Sequence, residues 1–119
     1  MKKLFAVLAP ALALTAAAQV VPTTETVTVS TTAVSLAAAT IGGGTTGKPE
    51  ARYCFLSLAV ADIRWRVDGL APTDTVGHIM ASGAALEIYG AANIRRFSAI
   101  RDGGSDGTLT VSCWTEEPF

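Results

Sequence analysis

The sequence predicts an all-β domain: an antiparallel β-sandwich or barrel of six to eight short strands with an extended N-terminal arm. Three observations predict it. Apolar and polar residues alternate with period two in most segments that carry bulky side chains. Gly, Pro and Asp turn signals recur every ~8 to 12 residues, the spacing of sandwiches and barrels. Ala, Thr, Val and Gly dominate, 50% of the residues are hydrophobic and only 16% are charged. β-branched and small turn residues favour strands over helices. At 119 residues the chain has room for one core. A net charge of −1 provides no basic field to hold phosphates, so no specific nucleic-acid partner is expected. So little charge suits a subunit of an assembly better than a freely diffusing enzyme.

The first segment, MKKLFAVLAPALALTAAAQ, starts with Lys2 and Lys3, runs apolar from Leu4 and reaches Ala16-Ala17-Ala18 before Gln19. That is the pattern of a cleaved secretory signal over residues 1–18. It is short for a membrane span and Pro10 interrupts it, so a membrane would be met only in transit. The alternative takes residues 12–21 as structural, an arm or first strand. Residues 22–32, PTTETVTVSTT, alternate as a half-buried strand, with Val27 and Val29 on one face and Thr26, Thr28 and Ser30 on the other. Val34, Leu36 and Ala38 continue the period as a second short strand. The chain therefore divides into a signal-like segment or arm with the first strands (1–41), a Gly-rich loop (42–49) and a compact β-domain (50–119).

Within the domain, RYCFLSLAV places Cys54, Leu56, Leu58 and Val60 on one face and Tyr53, Phe55 and Ser57 on the other. Bulky groups on both faces predict a strand covered on both sides, by the core and by a subunit contact. ADIRWRVDG alternates most cleanly: Ile63, Trp65 and Val67 in, Arg64, Arg66 and Asp68 out. Residues 71–83 read as a long connection, with Ile79 and Met80 available to the core. ALEIYG is a short strand with Leu86 and Ile88 inward. In NIRRFSAIR the three-residue spacing of Ile94, Phe97 and Ile100 suits a strand, a turn and strand, or one helical turn. No amphipathic helix is expected after residue 20. DGGSDG is a loop. TLTVSCW closes the domain with Leu109, Val111 and Cys113 inward, and the TEEPF tail is expected exposed, with Phe119 available to dock.

Several motifs approach chemistry without completing it. Gly42, Gly47 and Lys48 have the spacing of a phosphate-binding loop. Such a loop needs a helix after the Lys, whose N-terminus meets the phosphates, and a hydroxyl for magnesium. Here Pro49 follows and the next segment reads as strand. Asp102, Asp106 and Gly107 match the first, fifth and sixth places of a calcium loop, but the twelfth is Cys113 rather than Glu. His78, the single histidine, lacks partners at metal-ligand spacing. Cys54 and Cys113 fall on core phases, where burial suppresses thiolate reactivity. They are expected as reduced core thiols if the chain assembles inside a cell, and as a disulfide if it is exported and the strands are neighbours. No catalytic residue, cofactor or metal is therefore expected. Beyond Lys2 and Lys3 the chain has one Lys and six Arg. Arg is enriched at protein interfaces and Lys depleted. Arg64 and Arg66 on one strand face, with Arg95 and Arg96, read either as a solvated face paired with Asp62, Asp68 and Glu87 or as candidates to meet carboxylates of a neighbour.

Taken together, Ile63 to Arg66, Asp68-Gly69 with Pro72-Thr73, Gly77, Leu86 to Gly90, Ile94 to Phe97 and Leu109 to Val111 resemble small structural proteins of tailed bacteriophages. There an I-R-W/Y-R strand leads into a D-G-x-x-P-T turn, a short strand ending in Gly, an I-x-x-F segment and a T-L-x-V strand. The likeness covers about half the chain and consists of turns and core positions. It departs at Cys113-Trp114, where a Tyr-rich ending is usual, and at the signal-like start. The resemblance implies a non-enzymatic β-sandwich virion protein: a capsid cement or decoration protein, or a small neck or tail component. Its expected partners are other copies of itself and other virion proteins, with no small-molecule substrate. Tyr53, Phe55, Arg64, Arg66, Arg95 and Arg96 are the candidate contact residues, and the arm from Met1 to Thr32 would pair with a neighbour's sheet. The alternative is an exported bacterial β-sandwich binding module, periplasmic or secreted, with a cleaved signal and one disulfide.

Overall fold

A computed structural model describes residues 21 to 116. The signal-like segment and Phe119 lie outside the described residues. The elements run β1 (Thr23–Val29), α1 (Ala38–Ile41), β2 (Tyr53–Ala59), β3 (Ile63–Arg66), β4 (His78–Met80), β5 (Ala85–Tyr89), α2 (Ala91–Arg96), β6 (Ser98–Arg101) and β7 (Gly107–Trp114). The strands form two antiparallel sheets, a four-stranded one ordered β1-β7-β2-β5 and a three-stranded one ordered β4-β3-β6. The all-β sandwich expected from the alternation is the fold observed.

Period-two alternation builds the core. Val27 and Val29 on β1, Leu109, Val111 and Cys113 on β7, Cys54, Leu56 and Leu58 on β2, and Leu86 and Ile88 on β5 share the inner face of the large sheet. Ile63, Met80 and Ala99 of the small sheet close over them, with Ile94 and Phe97 from the α2 region. Gly107 lies where the sheets approach closely. A Cβ there would sit 2.8 Å from both Ala61 O and Ile63 Cγ2, so no larger residue fits without a shift.

The structure revises several local expectations. Residues 23–29 are not an arm, because β1 pairs with β7 along its whole length. The chain then crosses to the other sheet: Arg101 N–H donates to Ser30 O at 3.0 Å, and Val34 and Ala99 exchange two bonds of 2.9 Å. Val34 makes only this isolated bridge, Leu36 packs into the core, and α1 replaces the expected second strand. The three-residue spacing of Ile94 and Phe97 resolves as helix α2 ending at a buried Phe97. Within the 71–83 connection the short strand β4 turns Met80 inward and leaves Ile79 57% exposed. Strand β2 gives one side to the core, as expected, and turns Phe55, 40% exposed in the single chain, to the other. Val60 leaves the strand altogether, 73% exposed at φ 80°. It is the centre of a tight turn in which Ala61 N–H donates to Ala59 O, a strained geometry for a β-branched residue.

Of the two states expected for Cys54 and Cys113, the structure has the disulfide rather than two reduced thiols. The reason is register: they are directly opposed on adjacent strands with Cα atoms 4.1 Å apart, the close spacing of an antiparallel pair that does not exchange hydrogen bonds. The bridge spans a sequence separation of 59. In the chain-entropy account, a loop of that size restricts the unfolded chain by about 4 kcal/mol. Urea unfolding with and without reductant should therefore differ by about 4 kcal/mol in favour of the oxidised chain. Equal midpoints would show that the bridge contributes nothing.

Candidate functional site

The outer face of the large sheet is the most distinctive surface of the molecule. The register arranges it in rows. Thr28, Thr108 and Ala59 form one; Thr26, Thr110, Ser57 and Ala85 the next; Thr24, Ser112, Phe55 and Glu87 a third; Trp114, Tyr53 and Tyr89 the last. The result is a neutral hydroxyl surface ending in an aromatic cluster. Among the described residues of this face, Glu87 carries the one charge.

Cross-strand pairing creates the cluster. Tyr53 stands between Trp114 and Tyr89, its ring centroid 5.3 Å and 5.1 Å from theirs. These are the separations at which tilted aromatic pairs attract. Tyr53 is thereby buried, although it lies on the outer face. Its hydroxyl donates to Glu87 Oε2 at 2.7 Å, and the Tyr89 hydroxyl approaches the same oxygen at 3.4 Å. Glu87 reaches Tyr53 as its diagonal cross-strand neighbour. Burial, then the Glu87 hydrogen bond and the negative charges of Glu87 and Tyr89, push the Tyr53 phenol up to about 12. Phe55 and Tyr89, 40% and 45% exposed, form the accessible rim.

The six candidate contact residues do not converge. Tyr53 and Phe55 lie on the large sheet's outer face, but Tyr53 is buried there and serves as the platform's support. Arg64 and Arg66 lie on the outer face of the small sheet, across the core. Arg64 Nε donates to Asp102 Oδ1 at 2.7 Å and Nη1 to Gly77 O at 3.2 Å. Arg66 pairs with Asp68, and this hydrogen bond holds the Asp68 carboxyl below its usual value. Arg95 on α2 pairs with Glu50. Arg96 extends from the same helix, exposed. Three of the four arginines thus answer carboxylates of their own chain. Tyr89, Glu87 and Trp114 complete the face and were not singled out from the sequence. Their signal was the outward phase of ALEIY and TVSCW, which becomes a cluster only once β5 and β7 are known to flank β2.

The near-motifs also acquire definite structural roles. Helix α1 precedes the glycines instead of following Lys48, so no helix N-terminus faces the loop. Lys48 Nζ reaches Ala39 O, within α1, at 3.5 Å. Asp102 and Asp106 are taken by Arg64 and Arg101, at 2.7 Å and 2.8 Å. His78 rests its ring 4.8 Å from that of Trp65. Neither disulfide sulfur is available as a thiolate.

The raised phenol has a testable sign. Unfolded Tyr53 loses its proton near the ordinary value of about 10, whereas the folded chain keeps it to about 12. The native state therefore binds more protons between these values, and stability should fall as pH rises through that window. Ultraviolet titration should show a late-ionising tyrosine that Tyr53→Phe removes; its persistence in that variant would refute the assignment. Set beside protein-family models, curated proteins and solved structures, the chain matches none.

Proposed function

We propose that the chain is a non-enzymatic structural subunit of a phage virion, a capsid cement or decoration protein or a small neck or tail component. It binds neighbouring subunits through the outer face of its large sheet. The observation that carries this reading is the aromatic rim of Phe55 and Tyr89 on a face with a single carboxylate. Aromatic residues dominate the energetics of protein interfaces, and a nearly uncharged face is cheap to desolvate. The sequence resemblance to phage structural proteins supplies the kind of assembly. Particles induced from the source strain and banded by density should contain the chain. Phe55→Asp combined with Tyr89→Ala should deplete it from them at least about tenfold, the effect of losing ~1.4 kcal/mol of contact, with circular dichroism unchanged. Absence of the wild-type chain from the particles would overturn the reading.

The Cys54–Cys113 disulfide favours a second reading, an exported binding module in the periplasm or outside the cell, since such bridges persist in oxidising compartments. Intact mass of the native protein under non-reducing conditions separates the two. Loss of residues 1–18 together with two hydrogens supports export. A full-length reduced chain supports intracellular assembly.

A further inference from the structure

The four sheet edges are treated unequally. The β6 edge is covered by the crossing segment, through Ser30 and Val34. Strand β4 is only three residues long. The β5 edge carries Glu87, and Asn93 Nδ2 donates to Tyr89 O at 3.0 Å. Among the described residues, strand β1, seven residues of TTETVTV, has none of these protections. It contains no Pro or Lys, the usual guards of an open edge. Its one charge, Glu25, points over the inner face, where Oε2 accepts the Ala37 N–H at 2.9 Å.

The hydrogen-bond phase of β1 follows from its neighbours. Arg52 N–H donates to Trp114 O, and Arg101 N–H to Ser30 O. Trp114 thus turns its backbone towards β2, so Cys113 turns towards β1 and its opposite residue Thr23 towards β7. By alternation Glu25, Val27 and Val29 spend their backbone groups on β7. Thr24, Thr26 and Thr28 present theirs to the open edge, as Ser30 presents its carbonyl to β6. Pro22, which has no N–H, bounds the edge on one side, and Ser30 bounds it on the other.

We infer that β1 is a homotypic docking edge, pairing antiparallel with β1 of a second copy about a twofold axis at Thr26. This register places Thr24 opposite the second copy's Thr28 and Thr26 opposite its own counterpart. Each Thr pair exchanges both backbone bonds, and threonine side chains meet on the outer face, a favourable cross-strand combination. Glu25 falls opposite Val27, so the like charges are not directly opposed. Two large sheets become one continuous sheet, and the hydroxyl rows run unbroken across the axis. The pairing is isologous and closes at two copies. It rests on the reading of the chain as an assembly subunit and gives that subunit its self-contact.

Thr26 permits a discriminating test, because its N–H points away from β7. Thr26→Pro removes the outward donor without removing a bond of the fold, the one setting in which a strand accepts Pro. Thr26→Lys sets two ammonium groups face to face across the axis. In sedimentation velocity the purified, oxidised chain should show a concentration-dependent dimer. Both variants should weaken it at least about tenfold, the effect of one lost pair of bonds. Thr110→Lys, in the middle of the same outer face, should not. Under mild oxidation Thr26→Cys should cross-link to its own counterpart, whereas Thr24→Cys, which faces Thr28, should not. A monomer at every concentration, a dimer indifferent to both Thr26 variants, or equal cross-linking from position 24 overturns the proposal. These failures are distinct from absence of the chain from particles, which concerns the virion reading alone.

Discussion

The pairing of β2 with β7 is the constraint on which the rest depends. These central strands of the large sheet meet with Cys54 opposite Cys113, Leu56 opposite Val111 and Leu58 opposite Leu109. Because side chains alternate, a slip of β2 by one residue would send Cys54, Leu56 and Leu58 to the outer face and bring Tyr53, Phe55 and Ser57 inside. The disulfide forbids that slip covalently. Strands β1 and β5 dock on either side and inherit the same phase, so a single pair of residues orders both faces of the sheet. The inner face becomes the core, and the outer face acquires the hydroxyl rows and the aromatic cluster.

Charge is distributed to match. The small sheet and its loops carry the ion pairs Arg64–Asp102, Arg66–Asp68 and Arg101–Asp106. Half-buried Arg64 ties two connections together, holding the Asp102 loop and the Gly77 carbonyl at once. These pairs pin irregular backbone around three short strands that would otherwise make a weak layer. The large sheet needs no such help, since it is long, paired through four strands and cross-linked. Its outer face is left almost uncharged, which lowers the cost of covering it with another protein.

Much of this was legible in the sequence. The alternation in TETVTV, RYCFLSL, DIRWRV, ALEIY and TLTVSCW predicts strands and their inward residues correctly, because a half-buried strand writes its phase directly into side-chain polarity. Three things were not legible. Strand order is decided by contacts between distant segments, so the meeting of Tyr53, Trp114 and Tyr89 could not be read from any one of them. Arg64 and Arg95 looked available because their carboxylate partners lie far away in sequence: Arg64 and Asp102 are 38 residues apart, Arg95 and Glu50 are 45. The N-terminal strand looked like an arm because its alternation reveals that it is half-buried, but not against which sheet.

The loop from Gly42 to Pro49 has a use unrelated to phosphate. Its neck is closed twice, by Ala51 N–H on Ile41 O at 2.8 Å and by Gly43 N–H on Lys48 O at 2.9 Å. Gly42 holds φ 69° there, and an added Cβ would lie 2.1 Å from Pro49 O, so the neck admits no side chain. Around Gly44 and Gly47, by contrast, an added Cβ meets nothing within 4 Å. Rigid at its base and unencumbered at its tip, the loop is a natural insertion point. A foreign peptide grafted beside Gly44 would be presented outward while the neck insulates the sandwich from its length, because extending a surface loop costs little once its ends are held.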